Sequence, residues 1–374
     1  MTLQNQLTRT ITERVTAAEQ PAPDLEAAVR RGRGIRRRRS LVTFALPVAV
    51  AVVGAVAIVT TRMDAPAPDR GTPGPETFAP VGMLDYSQGL RAFASPDADG
   101  ELSIGGRTFS TQDKGYLDTD ATATPYGLVF FDQAAQAHLL AQDGTDQTLA
   151  PAPSEQNTDL NLSAKADARL PLVAFTQPAA DGVTVLLDDL ETGRTLDSID
   201  VPCAGSDCKD VRVDGLDRGL VFVRTHAGTF VWDPKARGKE RWTLLGTGEF
   251  RVADARNGRL LWFGAPPAPA AGSPVAGWQL TRGEIDAELS YDGRHVLYWS
   301  STLKPTEPGG RAIRLKVKDA GWFAFDTDGS VLAAVTGSDQ RSTFYDCAIP
   351  SGDCQRIGSV STTSGDPMFI GNDM

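Results

Sequence analysis

Residues 219–225 read GLVFVRT, a turn glycine followed by a run of apolar and β-branched side chains that closes on Arg and Thr. The same shape recurs as Gly89-LRAFAS, Gly127-LVFFDQ, Leu170-PLVAFT, Gly258-RLLWFG, Gly293-RHVLYW and Gly329-SVLAAV. A glycine at the head of such a run supplies the positive φ of a tight hairpin turn, and the run itself has the length and composition of a strand. The starts lie 38, 43, 49, 39, 35 and 36 residues apart. Units of about 40 residues with several short strands each are the length of one four-stranded propeller blade. The predicted fold is therefore all-β, a β-propeller over residues 81–374. Seven blades are expected, with six or eight also compatible, because the third start lacks its glycine and the first is irregular.

In such a ring the large aromatic side chains fill the gaps between blades. The candidates are Phe222, Trp232, Trp262, Phe263, Tyr298, Trp299, Trp322 and Phe323. The ring must also close, and Met368-Phe369-Ile370, after Pro367, is the candidate closing strand. Ser290-Tyr291-Asp292-Gly293-Arg294, running into His295-Val296-Leu297-Tyr298, resembles the Ser-Pro-Asp-Gly-Arg strand entry of TolB-like propeller repeats, with Tyr291 where Pro is usual. Phe325-Asp326-Thr327-Asp328-Gly329-Ser330 repeats that shape, and Phe230-Val231-Trp232-Asp233 resembles the strand end of a Trp-Asp repeat. These resemblances imply a propeller and carry over no catalytic residue.

Ahead of the repeats, Leu41 to Thr61 contains no charged residue. Twenty-one residues at about 1.5 Å each suffice to cross a hydrocarbon core of about 30 Å, so a single transmembrane helix is expected over 41–61. Arg36, Arg37, Arg38 and Arg39 precede it and only Arg62 follows closely, which places the N-terminus in the cytoplasm and the repeats outside the cell membrane. A cleaved signal peptide fits less well, because its apolar core is shorter and sits nearer the N-terminus. Residues 62–80 carry Pro66, Pro68, Pro73, Pro75 and Pro80 and read as an extended spacer.

The cytoplasmic tail, residues 1–40, sets Leu3, Leu7, Ile11 and Val15 at intervals of four, one apolar stripe on a short helix that Pro21 and Pro23 end. Leu7 and Ile11 are the candidate contacts for a cytoplasmic regulator reached through residues 1–31. A short helix, a Pro/Asp break and an Arg block before one span resemble the tails of actinobacterial single-pass membrane proteins, some of which accompany alternative sigma factors. Residues 1–40 contain neither the His nor the Cys of a zinc-type anti-sigma domain.

Residues 1–40 carry a net charge of +5 within a chain of net charge −10, so the remainder is acidic and is expected to repel nucleic acid. The four cysteines form two close pairs, Cys203 with Cys208 and Cys347 with Cys354, each bracketing turn residues. Outside the cell such pairs read as disulfides that clamp hairpin loops.

No catalytic, cofactor or metal site is nominated. The three histidines, His138, His226 and His295, fall in different repeat units, and no Gly-x-Ser-x-Gly elbow, Walker loop or His-Glu-x-x-His motif occurs. Asp97-Ala-Asp99-Gly100 and Asp326-Thr327-Asp328-Gly329 echo the middle of a calcium loop but lack its closing glutamate, and read as hairpin turns. Ala265 to Pro274, APPAPAAGSP, reads as a surface insertion within one unit. The expected function is a membrane-anchored, extracytoplasmic, non-catalytic binding or scaffolding module, with an envelope protein or glycan as ligand. The alternatives are a transmembrane transducer of the anti-sigma kind and a propeller enzyme with a site in its channel. Protease added to cells with an opened wall should degrade residues 62–374 and spare a tag at Met1; survival of the repeats would overturn this topology.

Overall fold

The computed structural model describes residues 89–95, 101–110, 121–124, 126–150, 160–247, 249–265, 267, 272–284, 287–298, 300–361 and 368–369. The expected tail, apolar run and spacer of residues 1–80 lie outside these, and with them Leu7, Ile11 and Arg36 to Arg39. Asp97, Asp99 and Trp299 are also outside them. Among the described residues no helix is long and apolar enough to cross a membrane.

Short, mostly antiparallel strands follow one another along the chain and, among the described residues, form seven small sheets. The innermost strands are Thr122–Thr124, Ala164–Ala166, Arg212–Asp217, Arg251–Arg256, Glu288–Leu289 and Trp322–Phe325, and the chain then returns to add Met368–Phe369 to the first sheet. That last strand pairs antiparallel with the first, Phe93 opposite Phe369 and Ala94 opposite Met368, so the expected closing strand is observed. Both faces of a sheet pack on neighbours, which is why Gly127–Phe131 is buried at every position instead of alternating.

Seven apolar clusters lie between successive sheets and complete the circle. Phe131 and Leu139 meet Val173 and Phe175 between the second and third sheets. Val185 and Leu187 meet Val213 and Trp232, and Phe222 meets Val252 and Leu260. Leu261 meets Leu289, and Leu303 meets Phe325. Phe344 stacks on Phe93 at 4.1 Å, which joins the last sheet to the first, and Ile104 meets Phe130 to join the first to the second. The fold is a β-propeller.

Six of the sheets are four-stranded blades. The expectation of seven such blades is corrected here, because the fifth sheet has three strands and its third, Gln279–Arg282, runs parallel to Arg259–Phe263. Parallel neighbours need a long crossover where antiparallel ones need only a hairpin. Among the described residues no fourth strand of this sheet stands between Arg282 and Glu288.

Both disulfides pair as expected, Cys203 with Cys208 and Cys347 with Cys354. Cys347 and Cys354 face each other across the hairpin of strands Arg341–Cys347 and Cys354–Ser361. Cys203 and Cys208 do not close a hairpin. Cys203 precedes the 3-10 turn Gly205–Asp210 and Cys208 lies within it, where the chain leaves the outer strand of the third sheet for the inner strand of the fourth. The aromatic candidates divide: Phe222 and Trp232 are fully buried between sheets, whereas Trp262, Tyr298 and Trp322 are only partly covered.

The last sheet also grips the first through Asp326, whose Oδ1 accepts from the Leu90 amide at 2.7 Å and whose Oδ2 accepts from the Arg91 amide at 2.9 Å. Gly89, at φ +70°, passes so close that a Cβ would stand 2.5 Å from the Asp326 carboxylate. Bonds to a charged acceptor are worth about 1.5–3 kcal/mol each, so Asp326→Ala is expected to cost about 3 kcal/mol and lower the unfolding temperature by roughly 6–12 °C. Gly89→Ala should act in the same direction, and an unchanged melting curve for both would show that the ring does not depend on this grip.

Candidate functional site on the ring axis

Three sheets share one device at the end of the innermost strand. Asp167 Oδ2 accepts from the Gly219 amide at 3.0 Å, Asp217 accepts from the Asn257 and Gly258 amides at 2.9 and 2.6 Å, and Asp326 accepts from Leu90 and Arg91. In each case a carboxylate holds the first turn of the next sheet. A second ring of bonds runs between inner strands: Thr122 Oγ1 donates to the Ala164 carbonyl, Ser163 Oγ accepts from the Val213 amide, Asp254 Oδ2 from Leu289 and Glu288 Oε2 from Phe325.

The fifth sheet departs from the pattern. Asp217 pairs with Leu220 at the last step before a two-residue turn, and Arg256 pairs with Arg259 at the same step, so an arginine occupies the place of the clasp aspartate. It cannot accept from the following turn. That turn is closed from within instead, by Ser290 Oγ donating to Asp292 at 2.6 Å while accepting from the His295 amide at 3.0 Å. Arg256 faces the axis. Its Nε bonds Asp254 at 3.0 Å, its Nη2 bonds Glu288 at 2.8 Å, and its guanidinium lies 4.2 Å from the centre of the Tyr291 ring.

These groups line a cavity of about 100 Å³. Its polar wall is Thr122, Lys165, Asp167, Asp254, Arg256, Glu288, Tyr291 and Thr327, drawn from the second, third, fifth, sixth and seventh sheets, so it sits on the ring axis. The volume holds a few water molecules or one small polar group and is far below the roughly 300–1,000 Å³ of drug-sized ligand pockets.

The hydrogen bonds divide the wall into two kinds of group. The carboxylates are all occupied. Asp254 Oδ1 accepts from the Ala255 amide and Oδ2 from Leu289 and Arg256; Glu288 Oε1 accepts from Arg256 and Oε2 from Phe325. Asp167 Oδ1 accepts from the Arg169 and Leu170 amides and Oδ2 from Gly219. The donors are not all occupied, since Arg256 Nη1 is buried without a hydrogen-bond partner among the described residues.

Electrostatics follow from burial. Loss of solvent pushes the Glu288 carboxyl up to about 7, with Asp254 adding to the shift and Arg256 opposing it. Burial lowers the pKa of Arg256, but Asp254 and Glu288 more than reverse this and keep it charged. Burial also raises the Tyr291 hydroxyl, so it stays protonated.

The sequence nominated no site, and of this wall only Tyr291, Phe325 and Thr327 stand in the motifs quoted from it, as turn residues. Lys165, Asp254 with Arg256, and Glu288 stand on three short strands far apart in sequence, and nothing in one strand marks it as a neighbour of the others. The histidines do not meet: His138 is buried in the second sheet between Asp146 at 3.0 Å and Asp132 at 3.3 Å, His226 is exposed in a turn of the fourth, and His295 is half-buried in the sixth. Among the described residues no three His, Cys, Asp or Glu side chains are grouped to hold a metal ion.

No family model and no curated protein matches the chain. Among solved structures it is similar to TolB from Acinetobacter baumannii, with 14% identity over 77% of this chain and 67% of that one and a TM-score of 0.39. It is also similar to PorZ, a surface component of the type-IX secretion system of Porphyromonas gingivalis, with 15% identity over 76% of this chain and 39% of that one and a TM-score of 0.41. Hsv2 from Kluyveromyces lactis gives 12% identity over 68% of this chain and 84% of that one, at a TM-score of 0.36. The likeness is one of propeller fold, to TolB among others.

A carboxyl raised in the folded state adds stability below its unfolded value and loses it as pH rises through the folded one. Glu288 and Asp188, the latter also pushed up to about 7 by burial and eased only in part by Thr195, both act in this sense. Their contribution should fall between pH 4.5 and 7. Denaturant unfolding at pH 5 and pH 8 should show it, and Asp188→Asn should be more stable than the parent at pH 8 and little changed at pH 5. Equal effects at both pH values would mean that Asp188 is ionised throughout.

Proposed function

We propose that this chain is a membrane-anchored, extracytoplasmic β-propeller that acts as a non-catalytic binding module of the cell envelope. The observation that carries the reading is the state of the axial cavity. Each of its carboxylates accepts from backbone amides or from Arg256, and so is engaged in holding neighbouring sheets together. The anchor and orientation rest on the apolar run 41–61 and on Arg36 to Arg39, and the partner is an envelope protein or glycan. The full-length chain should therefore show no turnover of generic ester, peptide, phosphate or glycoside substrates. Turnover abolished by Glu288→Gln would overturn the reading in favour of the channel enzyme.

The apolar stripe in residues 1–31 supports a second role, contact with a cytoplasmic regulator. Leu7→Asp together with Ile11→Asp should abolish that contact and leave the propeller folded. If no signalling output changes, the tail serves only to orient the span.

A further inference from the structure

Among the described residues the buried group of the axial wall that has no hydrogen bond at all is a donor. Asp167, Asp254 and Glu288 have every carboxylate oxygen bonded, while Arg256 Nη1 has none of its hydrogens placed. Tyr291 lines the same wall with its ring 4.2 Å from the Arg256 guanidinium, and burial keeps the proton on its hydroxyl. A group that completes this wall must accept and need not donate.

The shape of the opening narrows the class. Asp254 stands 3.0 Å from Nε of Arg256 and Glu288 accepts from Nη2, so Nη1, at the end of the guanidinium fork, is the nitrogen left buried without a partner. Two parallel N–H groups on a planar fork match a carboxylate. A doubly charged oxyanion suits the place less well, because Asp254 and Glu288 stand on the other side of the same guanidinium. Lys165, across the cavity and close enough to lower the Glu288 carboxyl, offsets part of that negative charge.

We propose that the axial cavity is a carboxylate-binding site, in which the ligand's two oxygens accept from the end of the Arg256 fork and from the Tyr291 hydroxyl. This rests on the binding-module reading and gives it a ligand chemistry, one carboxylate on a group small enough for about 100 Å³. The carboxylate comes either from a free small acid or from the end of a peptide chain threaded to the axis. The site exists because the fifth sheet has an arginine where three other sheets have the clasp aspartate.

The test is saturation-transfer NMR on the purified full-length chain with four probes: acetate, N-acetylglycylglycine, its C-terminal amide and inorganic phosphate. Acetate and the peptide acid should bind saturably, with the amide and phosphate weaker by about tenfold or more, the cost of losing a charge-assisted pair. Comparable affinity for acetate and the peptide acid identifies a free acid as the natural ligand class; a tighter peptide acid identifies a chain end. Arg256→Lys should abolish the preference for acid over amide. Because Arg256 also bonds Asp254 and Glu288, the milder Tyr291→Phe keeps the ring beneath the guanidinium and removes only the hydroxyl. It should weaken the acid by about three- to tenfold with an unchanged melting curve. Failure of acetate and the peptide acid to saturate below about 50 mM overturns the proposal, as does equal binding of acid and amide. Equal binding would leave a non-catalytic module standing, whereas hydrolysis of the peptide would remove that reading and leave the acid-to-amide ratio to decide the carboxylate.

Discussion

A carboxylate at the end of one inner strand, accepting from the backbone of the next sheet, is the interaction on which this ring depends. Sheets of four short strands are not stable alone, and apolar contact between flat faces does not fix how far one sheet slides along the next. Asp167, Asp217 and Asp326 fix it by reaching the first turn of their neighbours. The arrangement has a cost, since burial raises the pKa of both Asp217 and Asp326, and the amides they accept from lower it again. The net energy of each clasp is therefore modest. Its directional effect is large, because leaving those amides without an acceptor costs about 1–3 kcal/mol each, and only one placement of the sheets satisfies them.

Against this background Arg256 is a departure that needs a compensating structure, and the structure supplies one. The turn it fails to hold is tied by Ser290 and Asp292 within its own sheet, and by Asn257 Nδ2 donating to the Asp292 carbonyl at 2.8 Å. The buried charge is balanced by Asp254 and Glu288, which also clasp the sixth and seventh sheets. One arginine thus joins two structural carboxylates to a buried donor that has no partner among the described residues. A site made this way needs no added loop or cofactor.

The strand starts were legible because a hairpin turn demands a residue that tolerates positive φ, as Gly219 at +75° and Gly258 at +72° do, and because apolar runs follow them. The two disulfides were legible from spacing, although the place of Cys203 and Cys208 between sheets was not. The irregular fifth sheet was hidden. Its 35-residue spacing from Gly258 to Gly293 resembles a complete unit, yet after Arg259–Phe263 the described residues of that stretch add to this sheet only the parallel strand Gln279–Arg282. The composition of Ala265 to Pro274 marks an insertion but not the direction of the strand after it. The axial site was hidden for a different reason: its wall takes one to four residues from each of several sheets, and only closure of the ring brings Lys165, Arg256 and Glu288 together.

The position of that wall within the ring is not incidental. Among the described residues the cluster between the fifth and sixth sheets has four buried apolar members, Leu261, Ala287, Leu289 and Val296, against fourteen between the second and third. Area burial at about 25 cal/mol per Å² therefore contributes less at this seam than between the second and third sheets. Charge takes over at both edges of this seam. Arg259 reaches from the second strand of the fifth sheet to Glu307 of the sixth, and on the axis side Arg256 and Asp254 reach Glu288 and the Leu289 amide. A seam held by ionic hydrogen bonds responds to what is bound beside it more than one held by apolar packing, since an added charge alters each of those bonds at short range in a medium that screens little. Anything that takes the free end of the Arg256 fork therefore acts on the contact between two sheets as well as on its own binding.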